Sequence, residues 1–175
     1  MKLNIRKECL HYWQKENKNI SRFHLYSQIW FRQVVLKKFE IPYLEMFITT
    51  KCNLRCKHCS NLIPVLNNRQ NYEISTLVEW LDVLLSKIDC LYRLKIHGGE
   101  VFLHPQLTEL IAYVNNQPKI KSIRLTTNET IIPADNILQL IASSKIVVQI
   151  SDYRLPNTKT QQLIDKFKEF GVRYI

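Results

Sequence analysis

Hydrophobic residues along this chain follow two alternating patterns, short continuous runs and longer stretches in which they recur every three or four positions. The short runs predict strands at 43–49, 91–97, 120–126, 145–151 and 172–175. The periodic stretches predict helices over 74–88, 105–114, 133–143 and 158–170. Strands separated by helices indicate βαβ units. The sequence therefore predicts an α/β fold with a parallel sheet, either doubly wound or closed toward a barrel.

Three residues mark where individual helices begin or end. Ser75 is predicted to cap the helix over 74–88, and Pro105 to occupy the first turn of the next helix. Gly171 is predicted to end the helix over 158–170, because glycine readily adopts the left-handed conformation found after helices. These signals support the elements that the hydrophobic pattern predicts.

The first 40 residues differ from the rest in charge. They contain nine basic and three acidic residues and so supply +6 of the net charge of +10. Apolar residues recur within them at Ile20, Phe23, Tyr26, Ile29, Trp30, Val34, Val35 and Phe39. This spacing predicts an amphipathic helix that docks its apolar stripe on the core and ends before Pro42, although an interfacial membrane helix has the same signature.

We therefore divide the chain into a basic N-terminal helical arm, 1–40, and a core, 41–175. The charge of the arm favours an anionic partner, whereas a solvated helical face would need none. At 175 residues with 46% hydrophobic content, the chain suits a single folded domain.

The positions of the charged residues and of the cysteines indicate the cellular compartment and the role of the cysteines. Charged residues at positions 2, 6, 7 and 8 interrupt any secretory signal, and no run of 18 uncharged apolar residues occurs. We therefore expect a cytoplasmic protein without a transmembrane segment. Three of its five cysteines lie within eight residues, which in a reducing compartment is more typical of metal binding than of disulfides.

Residues that can bind ligands follow four consecutive predicted strands. The cysteine loop follows the first strand, His97 to Glu100 the second, Thr127-Asn128 the third and Ser151-Asp152 the fourth. Because the carboxyl ends of parallel strands meet at one edge of a sheet, we expect these groups to share one site.

The cysteine loop carries the most specific motif. Cys52, Cys56 and Cys59 have the spacing C-x3-C-x2-C. Soft thiolates favour iron–sulfur clusters and zinc over hard cations. A four-iron cluster held by three thiolates leaves one iron open to an outside group, as chemistry at the metal requires. The alternative is a structural zinc site made by the same cysteines together with His58.

With its surroundings, this motif resembles a known family. The run TKCNLRCKHCSN, followed further along by a strand and then Gly98-Gly99-Glu100, resembles the radical S-adenosylmethionine (SAM) superfamily over 43–175. The resemblance implies that Cys52, Cys56 and Cys59 hold an oxygen-sensitive 4Fe-4S cluster, and that SAM chelates its open iron. An external donor of the flavodoxin or ferredoxin type would reduce the cluster. SAM would then be cleaved to a 5′-deoxyadenosyl radical that acts on an unidentified small-molecule or peptide substrate.

The resemblance also implies how SAM is held near its methionine and adenine ends. Gly98 and Gly99 would let the backbone approach SAM closely and adopt positive φ, although alone they would indicate only a tight turn. Glu100 would accept hydrogen bonds from the ammonium group of SAM. His58 stands where the family usually has an aromatic residue that contacts adenine.

Two further strand ends carry residues expected to contact SAM, Asn128 on one and Ser151 and Asp152 on the other, and they match the family less closely. Asn128 belongs to a Thr-Asn pair that resembles the TNG sequence of the family, with Glu129 in place of the glycine. Ser151 and Asp152 end a strand at which the family commonly makes ribose contacts, and a simple turn is the alternative there. No residue of the chain is assigned as catalytic.

The family resemblance implies a partial (β/α) TIM-type barrel. Radical SAM cores resemble an incomplete barrel of six units, and this chain stops as its fifth strand begins. We therefore expect a missing C-terminal segment or a partner chain to complete the barrel. Two hypotheses follow: an enzyme that performs radical chemistry, and a truncated non-catalytic module that holds a cluster or zinc.

Overall fold

The structure is a computed structural model that describes residues 19–153, 155–156 and 158–175. Residues 1–18, the first part of the predicted basic arm, lie outside the described residues. The helices are α1 (Asn19–Val35), α2 (Ile74–Lys87), α3 (Leu107–Asn116), α4 (Asp135–Ala142) and α5 (Thr160–Phe170). The strands are β1 (Glu40–Thr49), β2 (Cys90–Gly98), β3 (Ile120–Thr127) and β4 (Ile146–Ile150). Short 3-10 helices span Ile63–Val65 and Val101–Leu103.

The four strands form one parallel sheet in the order β1-β2-β3-β4. Each crossover passes through one of the helices α2, α3 and α4, as the sequence predicts. The end of the chain continues this order beside β4, where the Ile175 N–H donates to the Val148 carbonyl at 2.9 Å and the Val148 N–H donates to the Arg173 carbonyl at 2.8 Å. The predicted α/β fold is confirmed as part of a (β/α) barrel wall, with a fifth strand beginning at its edge.

Two of the element boundaries that differ from the prediction involve prolines. β1 begins at Glu40 and includes Pro42. It is an edge strand of the described sheet, and an edge strand tolerates proline because one side of its backbone has no neighbouring strand. α3 begins at Leu107 rather than at Pro105, because residues 105–106 form a turn before the helix.

The helix ends were predicted with mixed success. Ser75 lies inside α2 and is not its cap, since Glu73 holds the N-cap position and makes no side-chain capping bond. Gly171 does end α5. It adopts the left-handed conformation with φ 69°, and its N–H donates to the Lys168 carbonyl at 3.3 Å. The predicted helix end at Gly171 is therefore confirmed, and the predicted cap at Ser75 is wrong.

Helices α2 to α5 pack on one face of the sheet and form the hydrophobic core there. Strand side chains alternate between the two faces, so this face takes every second residue of each strand. The buried strand residues on this face include Met46, Ile48, Leu94, Ile96, Ile123, Leu125, Ile146 and Val148. The opposite face, here named the open face, carries Tyr43, Glu45, Phe47, Arg93, Lys95, His97, Ser122, Arg124, Thr126, Val147 and Gln149.

α1 contacts the sheet through Ile29 of the predicted apolar stripe and through Leu25, which lies outside that stripe. Leu25 and Ile29 are buried and pack with Cys90 and Tyr92 of β2. Six members of the predicted apolar stripe are exposed instead: Phe23, Tyr26, Trp30, Val34, Val35 and Phe39. The docking prediction is wrong for these residues, because α1 has apolar side chains on two faces and the smaller set contacts the sheet. Within the described residues, no helix has the length and apolar content needed to cross a membrane.

A buried carboxylate fastens α1 to the sheet. Glu40 is only 4% exposed, and its Oε1 accepts a hydrogen bond from Arg32 Nη1 at 3.0 Å. Its Oε2 accepts one from the Tyr92 hydroxyl at 2.7 Å. Burial of the phenol and this contact with Glu40 raise the pKa of Tyr92. A buried charge is costly unless it is paired, so both donors are needed to hold Glu40 inside the protein.

We expect Tyr92→Phe to lower the free energy of unfolding by about 2 kcal/mol, because one oxygen of a buried carboxylate loses its donor. Tyr113→Phe is a matched control, since the Tyr113 hydroxyl bonds to Asp82 at an exposed position. Its loss should cost less than about 0.5 kcal/mol. Urea denaturation of both variants measures the difference, and equal losses would contradict the role given to the buried carboxylate.

Candidate metal and cofactor site

The three motif cysteines border one cleft at the carboxyl ends of the strands. They lie in the loop that follows β1, and each is half-buried with a free thiol. The cleft has a volume of about 120 Å³ and is lined by Cys52, Leu54, Cys56, His58, Cys59, Ser60, Asn61, Ile63, Gly98, Gly99, Asn128 and Tyr153. Seven of the ten predicted site residues therefore share it. The other three, Glu100, Ser151 and Asp152, are not part of this lining.

Gly98 and Gly99 hold the cysteine loop against the end of β2. The Gly99 N–H donates to the Thr49 carbonyl at 2.8 Å. A Cβ atom on Gly99 would lie 2.1 Å from the Lys51 carbonyl oxygen and 2.8 Å from the Cβ of Cys52. One on Gly98 would lie 2.3 Å from the Thr49 carbonyl oxygen. These separations are far below van der Waals contact, so only glycine fits at either position.

The contacts that these glycines make within the chain were not predicted from the sequence. Neither Gly98 nor Gly99 has a positive φ, and among the described glycines only Gly171 does. The conformational freedom of glycine is therefore not used here; the structure accounts for both residues by the close approach of the chain's own backbone, and their approach to SAM stays a prediction. Asn61 reinforces this contact from within the cysteine loop, where its side-chain amide donates to the Gly98 carbonyl at 3.0 Å.

Glu100 is fully buried between the ends of β2 and β3. Its Oε1 accepts hydrogen bonds from the Thr127 hydroxyl at 2.9 Å and from the Phe102 N–H at 3.1 Å. Its Oε2 accepts from the Asn128 N–H at 2.7 Å. Burial raises the pKa of this carboxyl group, while its donors act in the opposite direction. In this structure, Glu100 joins two strand ends behind the cleft, and its contact with SAM stays a prediction.

Asn128 connects β3 to the first cysteine. Its Nδ2 lies 3.5 Å from Cys52 Sγ and 3.1 Å from Asn53 Oδ1. Its Oδ1 accepts from the Thr130 hydroxyl at 2.6 Å, which favours this orientation of the amide. The Leu54 N–H also donates to Cys52 Sγ, at 3.4 Å. Burial raises the pKa of the Cys52 thiol, and these two donors oppose the effect.

Glu129 occupies the position of the expected glycine and keeps a glycine-like backbone. It is fully buried with φ 59°, in the left-handed region that costs a residue with a Cβ roughly 1–2 kcal/mol. Its Oε1 accepts from the Tyr153 N–H at 3.1 Å, and its carbonyl accepts from the Lys159 N–H at 2.8 Å. Glu129 thereby ties β3 to the segment after β4 from which Tyr153 reaches the cleft.

The remaining predicted residues lie around the rim. His58 is exposed and borders the cleft. The Ser151 N–H donates to the Thr127 carbonyl at 3.0 Å, and Asp152 is exposed. Ser151 and Asp152 therefore share the strand-end edge with the cysteines without lining the same cleft.

The donor set of the cleft suits an iron–sulfur cluster. Three thiols border it, and thiolates are the ligands by which proteins hold such clusters. A zinc site would need Cys52, Cys56, Cys59 and His58 to converge on one ion. In the part of the chain that the structure describes, no three His, Cys, Asp or Glu side chains are arranged to hold a single metal ion. A cluster spreads its thiolates over separate irons and does not need that convergence.

Four residues that shape the site were missed from the sequence: Asn53, Asn61, Thr130 and Tyr153. Asn53 and Asn61 lie within or beside the cysteine motif, so their position in the sequence is a signal that could have identified them. Thr130 and Tyr153 carry no such signal, because their roles depend on how the loops after β3 and β4 fold.

Comparisons with known proteins agree with this geometry. A sequence profile described as the Radical SAM superfamily matches residues 46–152. The GTP 3',8-cyclase of Syntrophomonas wolfei subsp. wolfei is 32% identical over 95 residues, which cover 54% of this chain and 29% of that protein. Streptococcus suis SuiB bound to S-adenosylmethionine superposes with a TM-score of 0.62, covering 88% of this chain and 36% of that one. SuiB bound to the precursor peptide SuiA superposes at 0.59, covering 91% and 38%.

The family profile and the two structural neighbours support different conclusions. Both SuiB structures are 18% identical to this chain, so they show a shared fold alone. The profile covers more than half of the chain and includes the three cysteines and Gly98-Gly99-Glu100. The chain spans about a third of the length of the proteins it matches.

We expect Gly99→Ala to lose most of the iron that the chain incorporates, because the added Cβ would collide with the Lys51 carbonyl and the Cys52 side chain. Gly171→Ala is the matched control. Its Cβ meets nothing within 4 Å, so it adds only backbone strain of about 1 kcal/mol. Iron and sulfide assays after anaerobic reconstitution measure the difference. Full iron content in Gly99→Ala would show that this packing is not needed to place the cysteines.

Proposed function

The chain belongs to the radical SAM superfamily, and on that premise we propose that it binds a 4Fe-4S cluster through Cys52, Cys56 and Cys59 and cleaves SAM reductively to act on an organic substrate. The observation that carries this proposal is the convergence of three half-buried thiols on one cleft that Gly98 and Gly99 also line. When bound, such a cluster supplies the electron that splits SAM into methionine and a 5′-deoxyadenosyl radical.

The residues around Cys52 would stabilise its thiolate form. The Asn128 amide and the Leu54 N–H both donate to its sulfur. Hydrogen bonds to the sulfur ligands are one of the means by which a protein sets the reduction potential of an iron–sulfur cluster. Asn128 therefore has a role at the metal in addition to the SAM contact expected from the sequence.

SAM would lie in the same cleft. The ring of His58 is exposed at its border and is flat enough to contact adenine, and Tyr153 lines the cleft as well. Glu100 would support the site from behind, because its carboxylate holds the Asn128 N–H in place. To receive the ammonium group of SAM, Glu100 would have to give up part of this bonding. A ribose contact at Asp152 would require SAM to extend along the rim.

The proposed reaction also needs a substrate and an electron donor. One relative is named for GTP, and one structural neighbour binds a precursor peptide, so the family does not select a substrate for this chain. A donor of the flavodoxin or ferredoxin type would supply the electron. Since the chain spans about a third of these proteins, a missing segment or a partner chain would complete the barrel.

Anaerobic reconstitution with iron and sulfide, followed by SAM and dithionite, tests the proposed activity. We expect 5′-deoxyadenosine and methionine in equal amounts, detected by liquid chromatography. Cys56→Ala should abolish the product, because the cluster loses one of its three thiolates. Cys90→Ala is the matched control, since Cys90 is buried against α1 on β2 and away from the cleft.

Two outcomes would count against the enzyme. A chain that incorporates the cluster but never cleaves SAM would support the truncated, non-catalytic module. A colourless protein with one bound zinc would support a structural metal site.

A further inference from the structure

We propose that Asn53 and Thr130 are positioning residues, which hold the side-chain amide of Asn128 against Cys52 Sγ and thereby raise the reduction potential of the cluster. This inference rests on the proposed function, because it concerns the cluster that Cys52 would help to hold. It is carried by a closed ring of hydrogen bonds that joins the loop after β1 to the segment after β3.

Asn53, Thr130 and Asn128 form a ring in which each side chain donates a hydrogen bond to the next. Asn128 Nδ2 donates to Asn53 Oδ1 at 3.1 Å, and Asn53 Nδ2 donates to Thr130 Oγ1 at 2.6 Å. The Thr130 hydroxyl donates in turn to Asn128 Oδ1 at 2.6 Å, and it lies further from Asn53 Oδ1, at 3.0 Å. Hydrogen bonds in such a chain polarise and strengthen one another. The ring therefore fixes the Asn128 side chain from both of its amide atoms.

The backbone of Thr130 determines which end of the Asn128 amide faces the cysteine. A backbone N–H can only donate, and the Thr130 N–H lies 3.2 Å from Asn128 Oδ1. An amide turned the other way would set two donors against each other there. The amide nitrogen must therefore point toward Cys52 Sγ, at 3.5 Å. A thiolate has no proton and can only accept, so this orientation is the one that a metal-bound Cys52 requires.

Burial makes this arrangement hard to change. Asn128 is 6% exposed and Thr130 is 7% exposed. Water therefore cannot readily replace the partners that the Asn128 amide finds in the ring, and a buried polar group without a partner is unfavourable. Without the hydroxyl of Thr130, the oxygen of the amide would keep only the longer bond from the Thr130 N–H. The amide would then be held less firmly against the sulfur.

A donor at Cys52 favours the reduced form of a cluster. Reduction adds one negative charge to the cluster and its thiolates. Hydrogen bonds are stronger when the acceptor carries more negative charge, so the Asn128 amide stabilises the reduced form more than the oxidised form. Hydrogen bonds to the sulfurs are among the factors that set the reduction potential of such clusters. Loosening the ring should therefore lower this potential.

Potentiometric titration of the reconstituted full chain, followed by electron paramagnetic resonance, tests this inference. We expect Asn128→Ala to make one-electron reduction about tenfold less favourable, which lowers the potential by about 59 mV. Thr130→Val should make it about threefold less favourable, or about 28 mV, because the amide is still present but less firmly held. Thr130→Ser keeps the hydroxyl and should keep the wild-type potential. Thr126→Val is the matched control, since the buried Thr126 hydroxyl has no hydrogen-bond partner among the described residues.

The double variant Asn128→Ala/Thr130→Val shows whether Thr130 acts through Asn128. We expect it to have the potential of Asn128→Ala alone, because Thr130 then has no amide to position. Two shifts that add, or a Thr130→Val chain with the wild-type potential, would overturn the inference. Circular dichroism shows whether each variant is folded, and Asn53→Ala takes the place of Thr130→Val if that variant is not.

The same samples separate this inference from the proposed function. A chain whose potentials shift as expected but which never cleaves SAM loses only the proposed activity. A chain that cleaves SAM and has one potential in every variant loses only this inference. A wild-type chain that takes up no cluster overturns both.

Discussion

The close contact between Gly98-Gly99 and the segment from Thr49 to Cys52 is the constraint on which the site depends. Because Gly98 and Gly99 have no side chain, the end of β2 can lie directly against the start of the cysteine loop. A Cβ atom at either position would collide with the backbone of that loop. The loop is thereby positioned by the sheet and does not depend on its own conformation alone. β1 and β2 are paired strands whose side chains pack in the core, so the folded core also holds Cys52 in its position.

A set of buried polar contacts extends this constraint to β3. Glu100 joins the end of β2 to Thr127 and Asn128, and Asn128 in turn reaches Cys52 Sγ. Buried polar groups specify a single arrangement when every partner is present, and they are costly when one is missing. The ends of three strands are therefore held in one arrangement, in which three thiols border the same cleft.

The sequence predicted those features whose signal is local. Strand and helix spacing gave the element order, a contiguous motif identified the cysteines, and Gly171 marked the end of α5. Features that depend on distant contacts could not be predicted in this way. α1 has two apolar faces, and only the fold decides that Leu25 and Ile29 contact the sheet. The packing of the glycine pair against Thr49 and Lys51 could not be predicted either, because these backbone partners are far away in sequence.

Three thiolates leave one iron of the proposed cluster open, so SAM should bind to that iron directly. Electron paramagnetic resonance of the dithionite-reduced, reconstituted chain, recorded with and without SAM, tests this claim most directly. We expect the signal of a reduced 4Fe-4S cluster that changes shape when SAM is added. A cluster signal that SAM leaves unchanged, or no cluster signal at all, would contradict a SAM-binding cluster on Cys52, Cys56 and Cys59.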